Sequence, residues 1–292
     1  MTDSLYLLIP LGAAVIYSFS ATLLKQSLEN GIGPWRLTFG GNISSAIFIC
    51  PLALLVDDLP PWDIFLYALP CGLLFVIGNT FTSFSLLKGD VSVATPILGT
   101  KVILVALFTF LFIEKNPSLS VWIGAFLTVL GITLMNLQFG ERRVNLISTV
   151  ILSILSAICF AALDVLIEKY SRNYGGLEFV SSTFFAVALG SFLLVPFFNK
   201  PVSKKSPAPQ STFYLACVSM GFQALGMALA IGLFGDATSI NIVYSSRGIW
   251  SVLIIWALGH YFGNEENKAG TKTMTTRLTG ATMILVAIIL IL

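Results

Sequence analysis

The sequence predicts an all-α integral membrane protein of ten transmembrane helices, built as two inverted five-helix repeats. Three observations carry this. The 292 residues are 56% hydrophobic and 10% charged, with mean hydropathy +0.91, whereas soluble domains carry about 25% charged residues. Apolar runs of span length recur along the whole chain with short connections between them. One run occurs twice: Gly89, Asp90, Ser92, Thr100 and Lys101 return 146 residues later as Gly235, Asp236, Thr238, Ser246 and Arg247.

A helix needs about 20 apolar residues to cross a hydrocarbon core of roughly 30 Å. The first candidate is 5–24; the residues before it lack the basic stretch of a signal peptide, so it reads as a retained span. Turn residues separate the next ones. Span 37–56 follows Gly31-Ile32-Gly33-Pro34, and 64–87 follows Asp57-Asp58-Leu59-Pro60-Pro61. Spans 91–113 and 119–138 follow Gly89-Asp90 and Asn116-Pro117. Span 146–167 is followed by 177–198 after Gly175-Gly176. The stretch 199–210, with Lys200, Lys204, Lys205 and three prolines, leads to 211–234. Gly235-Asp236 leads to 239–262, and 263–276 leads to 277–292. No connection is long enough for a soluble domain. Open sheets leave backbone groups unsatisfied in lipid, so the spans are helices.

The repeat reaches further than the opening match. Ala14, Tyr17 and Asn30 fall on Ala157, Phe160 and Asn173 at an offset of 143, and Gly124-Ala125 falls on Gly280-Ala281 at 156. The two units are 1–140 and 141–292. Each holds an odd number of spans, so the second enters the membrane inverted, an architecture of secondary transporters with a midplane site between the halves.

The five-plus-five arrangement, the Gly-Asp pairs before the fourth and ninth spans, Glu114 closing the fourth, and Trp122-Ile123-Gly124-Ala125 in the fifth resemble the EamA-type branch of the drug/metabolite transporter superfamily. The resemblance covers essentially the whole chain. It implies a ten-helix permease, with export as the direction, and it names no substrate, since that superfamily moves amino acids, drugs, sugars and nucleotide conjugates. His260 stands where the second copy would end in Glu, so any role of Glu114 is not duplicated. A bacterial-type inner (plasma) membrane is the expected location.

Charged groups at mid-membrane are costly and default to functional hypotheses. Lys101 lies about 15 Å into its span and Arg247 about 12 Å, at 1.5 Å per residue. Both are candidates for a site that holds a carboxylate or phosphate, Arg as a planar fork and Lys as a point charge. The other reading pairs them with a buried acid or with helix-end carbonyls. Asp164 is a candidate ion-pair partner or coupling-proton carrier; close to the expected helix end at 167, it also reads as an interfacial acid continued by Glu168 and Lys169. Glu114, beside Lys115 and Asn116, has the same two readings. Tyr17, Asn79, Gln223, Asn241, Tyr244 and Trp250 are candidates to shape a substrate pocket. Asn241 has the alternative of bonding a neighbouring helix. Pro96 is the candidate hinge, since it removes a helix hydrogen bond.

Other chemistries have little support. Cys50, Cys71, Cys159 and Cys217 lie in apolar runs without metal or disulfide spacing and read as small core residues. His260 is the only histidine, and no phosphate-binding Gly-rich loop is present, so no metal, cofactor or enzymatic activity is expected. No basic stripe on a polar domain suggests nucleic acid. The partners are the bilayer and a small-molecule substrate, and one chain supplies a complete cavity, so a functional monomer is expected. The alternative is a non-transporting scaffold or receptor on a transporter fold, with structural cations.

Orientation evidence conflicts. Connections on the face bearing residue 1 carry Lys115, Lys169 and Arg172, whereas the opposite face carries eleven basic residues. The positive-inside rule puts the termini outside; the resemblance implies termini in the cytoplasm.

Overall fold

The computed structural model describes residues 2–29, 31–56, 60–88, 94, 97–135, 146–198, 210–250, 253 and 271–291. Its elements among these residues are all helical. Helix α1 (Leu8–Glu29) continues a 3-10 turn over Thr2–Leu7, and α2 (Pro34–Ile49) passes into 3-10 helix at Cys50–Leu55. Pro34 suits the start of α2 because its fixed φ and missing N–H cost nothing there. Then come α3 (Ile64–Lys88), α4 (Lys101–Phe108) with a π turn over Thr109–Ile113, and α5 (Leu119–Met135). Next are α6 (Leu146–Tyr174), α7 (Gly176–Ser191) with 3-10 helix at Phe192–Phe197, α8 (Gln210–Phe234), α9 (Ala237–Tyr244) and α10 (Thr271–Ile291).

Six described stretches are long and apolar enough to cross a membrane: Leu5–Leu28, Pro34–Leu55, Ile64–Lys88, Ile147–Tyr174, Gly176–Phe197 and Gln210–Phe234. Ile97–Ile113, Leu119–Met135 and Thr275–Ile291 are shorter apolar helices. Large apolar side chains point outward: Leu66 is 71% exposed, Leu119 74% and Ile147 75%. Buried positions include Ser20, Asn42, Ser85, Thr128 and Ser153. Lipid solvates leucine as well as a protein core does, so small and polar residues share the helix contacts with large ones such as Phe179, Phe184 and Ile240.

Several expected boundaries move: α1 runs to Glu29 rather than 24, and α2 begins at Pro34 rather than 37. Helix α6 runs to Tyr174 rather than stopping at 167. Glu168 and Arg172 bond one turn apart on it and reach protein partners, so the polar end stays helical. Helix α10 begins at Thr271, six residues ahead of 277. The span expected at 239–262 is not one smooth helix: after α9 it tightens at Ser245 and Ser246, with Ser246 N–H bonding Val243 O and Gly248 N–H bonding Ser245 O. His260 and the hinge candidate Pro96 lie outside the described residues.

Helix α1 packs on α8 and α3 on α6; α2 packs on α8 and α3 on α7. Helices α4 and α9 meet each other, and rest on α6 and α1 respectively. The α3–α6 contact is a ladder of hydroxyls, with Ser85 2.6 Å from Ser153, Thr82 2.7 Å from Ser156, and Ser156 donating to Gly78 O at 3.0 Å. Helices α5 and α10 form a separate close pair. A Cβ on Gly131 would sit 2.7 Å from Gly280 O, and one on Gly280 2.4 Å from Gly131 O. Gly280→Ala is therefore expected to cost about 1–3 kcal/mol, the range for overpacking a tight contact. Gly12→Ala, facing open space, should leave the melting temperature in detergent unchanged or raised.

Candidate functional site

Between α1–α4 and α6–α9 lies a cavity of about 120 Å³. One water needs about 10–15 Å³ of such space, so the cavity holds several waters or a small organic ion. Its described polar lining includes Tyr17, Asn79, Lys101, Asp164, Gln223, Tyr244 and Arg247, set among Phe75, Phe160, Phe184, Met220 and Met227. No described lining residue comes from α5 or α10, so that pair is an outer wall.

Lys101 is the first residue of α4, after a tightened turn in which Thr100 N–H bonds Ile97 O at 3.1 Å. Its Nζ lies 2.7 Å from Asp164 Oδ2 and 5.6 Å from the centre of the Phe160 ring. Asn241 on α9 donates to the same Asp164 oxygen at 2.7 Å, and to Ala237 O at 2.8 Å. Only 14% of the Lys101 side chain and 8% of that of Asp164 are exposed. At that spacing, attraction at an effective dielectric near 20 is about 6 kcal/mol. Desolvation costs several kcal/mol for each ion, so the pair comes out near break-even. Stability alone gives little reason to keep it.

Arg247 follows the tightened Ser245–Ser246 turn. Its carbonyl accepts from Ser18 Oγ at 2.9 Å, tying it to α1. The guanidinium stands 4.6 Å from the Tyr17 ring centre and 4.8 Å from that of Tyr244, with Nη1 3.4 Å from the Tyr244 hydroxyl. Aromatic faces attract cations by their quadrupoles. Phe160 and Tyr17 are matched at the 143-residue offset. Each cation therefore sits over the aromatic residue that the first helix of the other half supplies.

The remaining candidates divide. Asn79 faces the cavity and donates to Asn42 Oδ1 at 2.9 Å, and Asn42 donates to Ser191 Oγ at 3.0 Å, joining α3, α2 and α7. Asn42 was absent from the sequence candidates; an amide inside an apolar run was the available signal. Gln223 faces the cavity. Trp250 does not line it: half-buried, it packs against the main core. Glu114 is also apart from it, exposed beyond the π turn in a left-handed conformation with φ 59°.

A second polar cluster sits at the end where α6 finishes and α9 begins. Glu168, expected at an interface, is only 1% exposed. It accepts from Arg172 at 2.5 Å and from the Ala237 N–H at 2.9 Å, with Lys115 at 3.9 Å. Arg172 also donates to Gly235 O at 3.1 Å. Asp236 caps α9 through Ser239 N–H and accepts from Tyr6 at 2.9 Å. An anion there complements the exposed donors and dipole of a helix start.

Residues 4–137 match the model of the EamA-like transporter family. That match takes in a little under half of the chain. The chain is similar to solute carrier family 35 member F6 of Mus musculus, 25% identical over 198 residues that span 63% of this chain and 52% of the relative. The Rattus norvegicus protein of the same name gives the same figures. The chain thus spans about half the length of the curated relatives it matches. A solved crystal structure, described simply as a protein, shares the fold with a TM-score of 0.68 at 16% identity over 98% of each chain. Family and apolar helices together make this a multi-pass integral membrane protein.

Proposed function

We propose that this EamA-like chain is a secondary transporter of a small anionic or zwitterionic metabolite, working by alternating access with export as its direction, in a plasma-type membrane. Ten spans in two inverted halves, 1–140 and 141–292, rock about the cavity, and one chain suffices. The carrying observation is that Lys101 and Arg247, matched by the repeat, line one cavity between the halves. The helix pairs add support: exchanging α1–α5 with α6–α10 turns α1–α8 into α6–α3, α2–α8 into α7–α3, and α4–α6 into α9–α1, all of them observed packings. Family and named relatives point to transport rather than catalysis. Tyr17, Tyr244, Asn79 and Gln223 shape the site, and Asn241 acts through Asp164.

One observation favours the other reading, of structural cations: Lys101 already holds an acid at 2.7 Å. Proteoliposome uptake separates the two. Labelled carboxylates should be moved by the wild type. Arg247→Gln removes a charge-assisted contact of about 1.5–3 kcal/mol and should weaken apparent affinity roughly 10- to 100-fold. Uptake confined to cations or neutral compounds, unchanged in Arg247→Gln, would sink the proposal.

A further inference from the structure

We propose that Asp164 is a proton site coupled to anion binding at Lys101. The inference rests on the anionic-substrate reading above. An incoming carboxylate takes the Lys101 ammonium, and the Asp164 carboxylate that Lys101 leaves takes up one proton from the bulk solution, relayed by the water that enters with the substrate.

The geometry supplies the coupling. Lys101 Nζ lies 2.7 Å from Asp164 Oδ2, and both residues line the cavity. A substrate anion that reaches this ammonium stands beside the Asp164 carboxylate. Once the ammonium turns to the substrate, Asp164 keeps the Asn241 amide but stands beside a second anion, and a proton relieves that like-charge contact. The surrounding groups set what else can respond. Helix α9 presents Asn241 and Tyr244, followed by Arg247; α1 presents Tyr17; α3 presents Asn79 and Thr82; α8 presents Gln223. On α6 itself Glu168, one turn on, accepts from Arg172 and the Ala237 N–H. Of the described lining residues, Asp164 is the one acid. Loading is then charge-balanced: one anion and one proton enter together, and the net charge buried in the cavity does not change.

The repeat adds an asymmetry. The position matched to Asp164 at the 143-residue offset is Ala21. The Lys101 half of the site therefore carries an acid that the Arg247 half lacks at the matched place.

The test uses the full chain in detergent, in weakly buffered solution with a pH-indicator dye, with benzoate and sulfate as fully ionised probes. Benzoate binding should take up about one proton, and by reciprocity its affinity should rise up to tenfold for each unit of falling pH. Asp164→Asn should bind benzoate with no proton uptake and an affinity flat in pH. If the wild type binds benzoate with no proton uptake and no pH dependence, the coupling is wrong and the anion-site reading stands. If neither benzoate nor sulfate binds, both fall. The wild-type dye measurement decides the matter even if Asp164→Asn does not fold, and Asp164→Glu should retain the uptake.

Discussion

Lys101→Met is expected to destabilise the protein by about 3–5 kcal/mol, the cost of breaking a buried ion pair by removing one partner. The substitution keeps the length and apolar stem of the side chain, so packing is largely preserved. What it leaves behind is a carboxylate with 8% of its side chain exposed, held by Asn241 but no longer opposed by the nearby ammonium. The intact pair is close to break-even by the magnitudes above. Lys101→Met/Asp164→Leu should therefore recover most of the loss, since apolar replacement of a whole buried pair is often neutral or stabilising. Unfolding of wild type, both single variants and the double variant in one detergent gives the coupling energy directly. A double variant no more stable than Lys101→Met would mean that Asp164 is held chiefly by other groups.

Glu168→Ala is the second large effect, expected at about 3 kcal/mol. Its carboxylate, 1% exposed, accepts the first N–H of α9 and opposes Arg172 and Lys115. Alanine strands the Ala237 donor where protein rather than water surrounds it, and it leaves Arg172 without its acid. Glu168→Gln keeps an acceptor for the N–H while losing the charge, so it should cost about half as much. Hydrogen exchange offers a local readout. The amides of Ala237 and Ser239 should lose protection in Glu168→Ala while those of α3 keep theirs; equal loss everywhere would place the defect in folding as a whole.

Much of this architecture was legible because it follows from solvent. Apolar runs, their lengths and the turn residues between them locate helices in lipid with little further information. Lys101 and Arg247, conspicuous as cations inside apolar runs, both line the cavity. The partner of Lys101 was harder to see. Asp164 lies 63 positions away, and the expected end of its helix placed it near an interface. Helix α6 instead continues to Tyr174, because Glu168 and Arg172 satisfy each other and the start of α9 within the protein. Hydropathy reads such residues as a boundary, since it scores their charge and not their partners. The same blindness explains Asn42, whose polarity is absorbed by Asn79 and Ser191. Trp250 failed for the opposite reason: proximity in sequence to Arg247 did not carry it into the cavity.

The single acid among the described cavity residues has an energetic consequence. A monoanion that crosses with one proton moves no net charge, so the membrane voltage, worth about 2.3 kcal/mol per charge at 100 mV, does no work on it. In the proton-coupled cycle proposed above, only the difference in acidity does work, and one pH unit sustains at most a tenfold solute gradient, about 1.4 kcal/mol. Such a device empties or fills a compartment modestly and reverses whenever the acidity does, which suits a relief valve better than an accumulator.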